Sequence, residues 1–179
     1  MPQHTLAVLA LDKPDVLTRT TALLARRGFA VESVAHATTQ DPGVARLTIV
    51  LDGDDRQLDQ AVRQLHRLVD VLEVVPLPSA TAIRRELLLV KVRADDRTRA
   101  QIAEITRLFR ARTVDVSPDA VTVEATGTGD KLAALLAMLA PYGISEQVRS
   151  GAIAITRGAG TITDRPLRTA APAPLRATA

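Results

Sequence analysis

Apolar residues along this chain fall into continuous runs, helical periods and simple alternation, and the whole succession occurs twice. Residues 5–11 (TLAVLAL) are a continuous apolar run bounded by turn residues, as in a strand covered on both faces. Val16, Leu17, Thr20, Leu23 and Leu24 then recur at helical spacing, and Gly28 is placed to end that helix. FAVESVAHA at 29–37 is rich in β-formers, and QDPG at 40–43 is a turn. In ARLTIVLD at 45–52, Leu47, Ile49 and Leu51 alternate with Arg46, Thr48 and Val50, the pattern of a strand with one face buried. Asp54 and Asp55 open a second helix with Leu58, Ala61, Val62 and Leu65 on one side, and VDVLEVVPL at 69–77 closes the unit as a strand.

A linker follows at 78–83, within PLPSA and its surroundings, where two prolines discourage helix continuation. The second succession runs from 84 to 158. RRELLLVKV at 84–92 reads as a strand, and the next helix turns Ile102, Ile105, Leu108 and Phe109 inward. RTVDV at 112–116 and AVTVEAT at 120–126 are strands around a Ser-Pro-Asp turn. A last helix carries Leu132, Leu135, Leu136 and Leu139, Gly143 follows it, and a strand pair or hairpin from about Ile144 to Thr156 completes the unit. The pattern therefore predicts an α+β protein of two consecutive ferredoxin-like βαββαβ units, over 1–77 and 84–158, each with both helices on one side of an antiparallel sheet. The other sheet face is left uncovered, and units of roughly 75 residues gain from burying such a face or edge on a partner. Residues 159–179 are Ala, Pro, Thr and Arg without a period, and are expected to form a flexible tail.

Composition narrows the function. Apolar residues make up 46% of the 179, so disorder is excluded for most of the chain, and with only Phe29, Phe109 and Tyr142 as aromatics the cores are aliphatic. The absence of cysteine removes disulfides, thiolate metal sites and thiol nucleophiles. No leader pattern opens the chain and no apolar run reaches the ~18 residues of a membrane span, so a soluble cytoplasmic protein is expected. The net charge of +3 lies after Thr156, in Arg157, Arg165, Arg168 and Arg176 against Asp164, and the rest balances. With no basic face and few aromatics for stacking, nucleic-acid binding is not expected.

Catalytic chemistry has little to stand on. His4 lies near an N-terminus expected to fray, His36 ends a strand and His66 sits late in a helix, none at a metal-ligand spacing. No serine occupies a G-x-S-x-G elbow. GTGDK at 127–131 lacks the spacing of a phosphate loop and reads as a strand-to-helix turn. The acidic pairs Asp54/Asp55 and Asp95/Asp96 stand at helix starts, where they complement the dipole. The chain is expected not to be an enzyme.

Several long runs, in order, resemble the small regulatory subunit of acetolactate (acetohydroxyacid) synthase: DKPDVLTRTTALLARRGFAVESV, ARLTIVLDGDDRQLDQAVRQLHRLVDVLEV, RELLLVKV, VDVSPDAVTVEATG and VRSGAIAITRG. The resemblance covers about Thr5 to Gly158. It implies that residues 1–77 are an ACT domain that dimerises through its sheet, followed by a C-terminal ferredoxin-like domain. It also implies a non-catalytic partner of the large subunit, which carries thiamine diphosphate, magnesium and usually FAD; no cofactor is implied in this chain. In the family, valine or another branched-chain amino acid binds between two ACT domains and damps the activity.

That resemblance makes Asp12, Pro14, Asp15, Val16, Leu17, Ala30 and Val31 the candidate effector-binding positions, in degenerate form. The family turn is often D-x-P-G-x-L, in which glycine lets an amino acid's carboxylate approach the amides at the helix start. Here Asp15 takes the glycine's place, filling space and repelling an incoming carboxylate by about 1 kcal/mol or more when partly desolvated. Ala30 stands where valine-binding members usually have asparagine. Weakened valine feedback is the expectation, and the plainer alternative is that Asp15 only caps its helix. Arg46, pointing away from the Leu47/Ile49 face, and Asp70 are candidate contacts with the large subunit, set against a reading as solvated charges. A stand-alone ACT-type sensor or adaptor on another enzyme is the alternative function. A small acyl-phosphate hydrolase would need an arginine-amide cradle in the first turn, where this chain has acids.

Overall fold

The computed structural model describes residues 2–164; the part of the expected tail beyond 164 lies outside the described residues. In the first unit, β1 (Gln3–Leu11), α1 (Val16–Arg26), β2 (Ala30–Thr38), β3 (Val44–Asp52), α2 (Asp55–Leu65) and β4 (Val71–Pro76) form a four-stranded sheet in the order β2-β3-β1-β4, every pair antiparallel. Alternation along the strands sends Leu6, Val8, Leu47, Ile49 and Val74 to one face, where they are buried with Val16 and Leu24 of α1 and Ala61 and Leu65 of α2. His4 is in β1 rather than frayed: its imidazole meets the Gly53 carbonyl at 3.0 Å, because the strand already pairs from Gln3 with Asp52.

Local chemistry ends α1. Gly28 adopts φ +73°, its N–H reaches the Ala25 carbonyl (3.0 Å), and Phe29 N–H reaches the Leu24 carbonyl (3.1 Å), a Schellman closure with Phe29 packed on the core that holds Leu24. α2 starts from a capping box: Gln57 N–H donates to the Asp54 carboxylate (2.8 Å) and the Asp54 N–H to the Gln57 side chain (3.0 Å). Leu17, counted from spacing as inward, is 38% exposed; the buried stripe of α1 is Val16, Thr20 and Leu24.

The second face of this sheet is not left open: residues 5–11 are covered on both faces, as their continuous apolar run indicates, and the expectation of an uncovered face is not met. Ala7 and Leu9 of β1, Leu72 and Val75 of β4, and Leu77 are buried with Ala82, Ala154 and Ile162. The cause is chain path: among the described residues, the first compact unit comprises the chain up to Ala82 and takes back residues 154–164, leaving Ile83–Ile153 as the second. Arg157 N–H donates to the Thr81 carbonyl at 2.8 Å, and a 3-10 turn at Ile162–Asp164 sets Ile162 into the cluster, 6% exposed. Residues 154–162, expected as the end of the second domain and the start of a tail, thus supply buried side chains to the first unit.

The remaining elements are β5 (Ala82–Arg93), α3 (Arg99–Leu108), β6 (Arg112–Val116), β7 (Ala120–Gly127), α4 (Gly129–Leu139), β8 (Ile144–Arg149) and β9 (Ile153–Thr156). The second sheet runs β6-β7-β5-β8. Leu88, Val90 and Val92 pack with Val121, Val123, Ile102, Leu132, Leu135 and Leu139. β8 and β9 do not form a hairpin; both pair with β5. Leu108 is 68% exposed rather than inward, because α3 ends there and Phe109 packs on the core instead. On the sheet face away from the helices, Leu87 and Val148 are exposed. The protein is α+β, with two ferredoxin-like units, and among the described residues no helix is long and apolar enough to cross a membrane.

Candidate functional site

The turn between β1 and α1 is built by three backbone commitments. Asp12 N–H donates to the Gly43 carbonyl (2.8 Å), Leu11 N–H to the Asp70 carbonyl (2.8 Å), and Val16 N–H to the Lys13 carbonyl (3.1 Å). Pro14 is exposed, whereas Val16 anchors the helix start in the core at 2% exposure. Arg19 N–H closes the first helical bond to the Asp15 carbonyl (2.9 Å), and the amides of Leu17 and Thr18 have no acceptor among the described residues. These are open helix-start donors, the groups that favour an anion.

Asp15 neither caps the helix nor occupies those amides. It holds the N-cap position at φ −95°, a conformation open to any residue, and makes no side-chain cap bond. Its carboxylate instead meets Arg19 Nη2 at 2.7 Å, one helical turn on. Arg19 Nη1 lies 3.3 Å from Asp70 Oδ2, and Lys13 Nζ lies 2.6 Å from Asp70 Oδ1. Asp70 precedes β4, the edge opposite β2, so this network draws the Asp15 carboxylate toward that side of the sheet.

Ala30 and Val31 are not near the turn. Ala30 pairs with Asp52, which also pairs with Gln3, whereas Leu11 pairs with Val44 at the other end. At about 3.3 Å per residue the two halves of the candidate site are about 25 Å apart along the sheet of one chain. Both Ala30 and Val31 are exposed, at the start of an edge strand.

The two candidate contact residues are engaged within the first unit. Asp70 is buried and satisfied by Lys13 and Arg19. Arg46 does point away from the Leu47/Ile49 face, but that side is covered there: its guanidinium donates to the Ala154 carbonyl, and burial pulls its pKa below the ordinary arginine value. Sequence spacing gave no indication of either partner, since both are distant along the chain.

Among the described residues no group of three or more His, Cys, Asp or Glu is placed to hold a metal ion. Asp95 accepts from Thr98 Oγ1 (2.7 Å) and from the amides of Thr98 (2.8 Å) and Arg97 (3.0 Å), chiefly the Thr98 hydroxyl holding its carboxyl below the usual carboxylate range. It serves the turn before α3. In GTGDK, Lys131 Nζ is committed to the Thr126 carbonyl at 2.9 Å.

Known proteins match this chain along nearly its whole length. A family model described as the AHAS small subunit-like ACT domain matches residues 6–73, and one described as the small subunit of acetolactate synthase matches residues 85–158. The chain is 48% identical over 157 residues to the acetolactate synthase small subunit of Mycolicibacterium smegmatis, spanning 88% of this chain and 92% of that protein. It is 44% identical over 160 residues to the probable acetolactate synthase small subunit of Methanothermobacter thermautotrophicus, spanning 89% and 95%. The crystal structure of the acetolactate synthase small subunit from Thermotoga maritima matches with a TM-score of 0.83 at 31% identity, covering 89% of this chain and all of that one.

Proposed function

Because the chain belongs to the acetolactate synthase small-subunit family, we propose that it binds and activates an acetolactate synthase large subunit in branched-chain amino-acid biosynthesis, with valine feedback weakened at Asp15 and Ala30. The observation that carries the reading is likeness over both units, in order and at nearly full length. Thiamine diphosphate, magnesium and FAD belong in this reading to the large subunit.

The geometry of the turn supports a regulatory site made by two copies. Within one chain, residues 12–17 and residues 30–31 lie at opposite ends of the sheet. Antiparallel pairing of two β2 edges carries the turn of one copy toward Ala30 and Val31 of the other, consistent with a homodimer through the ACT sheets. In such a site Asp15 acts by adding bulk and charge beside the open amides, rather than by occupying them. Ala30 offers no side-chain hydrogen bond to an amino-acid headgroup.

The test is the rate of acetolactate formation by the cognate large subunit, with and without this chain, across a titration of L-valine. Activation that valine does not reverse is the expected result. Activation that valine reverses keeps the subunit and refutes the lost feedback. No activation overturns the proposed role in favour of an ACT-type sensor acting on another enzyme.

A further inference from the structure

Asp70 is the convergence point of the β1–α1 turn. A buried carboxylate is costly unless its oxygens are met, and Asp70, 5% exposed, is met by Lys13 Nζ at 2.6 Å on one oxygen and Arg19 Nη1 at 3.3 Å on the other. Its own carbonyl receives the Leu11 N–H at 2.8 Å. The end of β1, the turn and the second turn of α1 are therefore all held by one residue that lies far along the chain. Lys13 and Arg19 are more than half exposed, with side-chain exposures of 52% and 57%. Among the described residues, the side-chain bonds of these flexible cations over the turn go to carboxylates, those of Asp70 and Asp15.

We propose that Asp70 is a positioning residue: through Lys13 and Arg19 it sets the conformation of the β1–α1 turn on which the effector response depends. Asp15 shares Arg19 with it. The guanidinium lies at 2.7 Å from Asp15 and 3.3 Å from Asp70, so the side chain standing at the glycine position takes up part of the grip that Asp70 has on the helix start. Removal of Asp15 returns Arg19 to Asp70 alone and leaves two cations facing one carboxylate beside the open amides of Leu17 and Thr18. The effector part of this inference rests on the regulatory reading above; the positioning part does not.

The test uses the full chain by itself. In Asp70→Asn, which keeps the shape and removes the charge, amide hydrogen exchange at Val16 and Arg19 is expected to rise about tenfold or more, while β3 amides keep their rates. Asp70→Glu, which keeps the carboxylate, is expected to recover part of that protection. Unchanged exchange at Val16 and Arg19 overturns the proposal, and so does a uniform rise across the unit, which is the mark of general destabilisation. A second arm uses the large subunit. In an Asp15→Gly/Ala30→Asn background that responds to L-valine, adding Asp70→Asn should raise the half-effect concentration about tenfold relative to that background. A half-effect that does not move overturns the effector part. An Asp15→Gly/Ala30→Asn chain with no valine response refutes the feedback reading instead, and the exchange data still decide the role of Asp70.

Discussion

Thr20 lies fully buried on α1, and its hydroxyl has no hydrogen-bond partner among the described residues. An unmet buried hydroxyl carries a desolvation cost that no other contact returns. Thr20→Val keeps the branched shape and removes that oxygen, so it is expected to stabilise the first unit by about 1 kcal/mol, read as a rise in the urea midpoint at unchanged slope. A loss of stability would show that the hydroxyl is satisfied. Helical spacing alone placed Thr20 inward, and correctly, yet the same spacing placed Leu17 inward although it is 38% exposed. Period fixes a face to within about one residue, and the packing of neighbouring elements decides its margin. The charged residues were less legible still. Asp15 showed itself as an anomaly in DKPDVL, but its commitment to Arg19, and that of Asp70 to Lys13 and Arg19, depends on elements that only folding brings together.

At the scale of elements, the boundaries that local chemistry dictates were readable, and those set by distant pairing were not. Gly28 closes α1 because a residue at φ +73° is needed there and the two closing bonds span only a few residues. Asp54 and Gln57 start α2 by the same kind of short-range exchange. Asp54→Ala removes the acceptor for Gln57 N–H and the charge at the positive helix end, so it is expected to cost about 1 kcal/mol. Asp55→Ala, at a first-turn position without the reciprocal bonds, should cost less than half as much. Equal losses in chemical denaturation would mean that charge alone, and not the capping box, starts the helix. By contrast, β8 and β9 follow each other closely and carry strand-like residues, which made a hairpin the natural reading. Their common partner is β5, more than fifty residues earlier in the sequence, and no local pattern reveals it.

For the whole molecule, the least legible feature was what covers the second face of the first sheet. The amphipathic pattern identified the helix-covered face, and it left Ala7, Leu9 and Val75 without an assigned partner. That partner is residues 154–162, which read from the sequence as the end of the second domain and the beginning of a tail. Its hold has two physical parts. Arg46 supplies a donor to the Ala154 carbonyl at the cost of desolvating its guanidinium, which lowers its pKa. Ile162 supplies apolar area, buried to 6% exposure among Leu9, Val75, Leu77 and Ala82. Burying an isoleucine contributes about 1.5–3 kcal/mol, so Ile162→Ala is expected to destabilise the first unit by about 2 kcal/mol. Ile155, 56% exposed on β9, provides the control: Ile155→Ala should change stability by no more than about 0.5 kcal/mol. Urea unfolding followed by circular dichroism separates the two, because a segment that truly seals the face makes the buried isoleucine matter and the exposed one not. Equal and small effects would mean that residues 154–162 rest on the sheet without stabilising it, and the face would then be free to receive a partner.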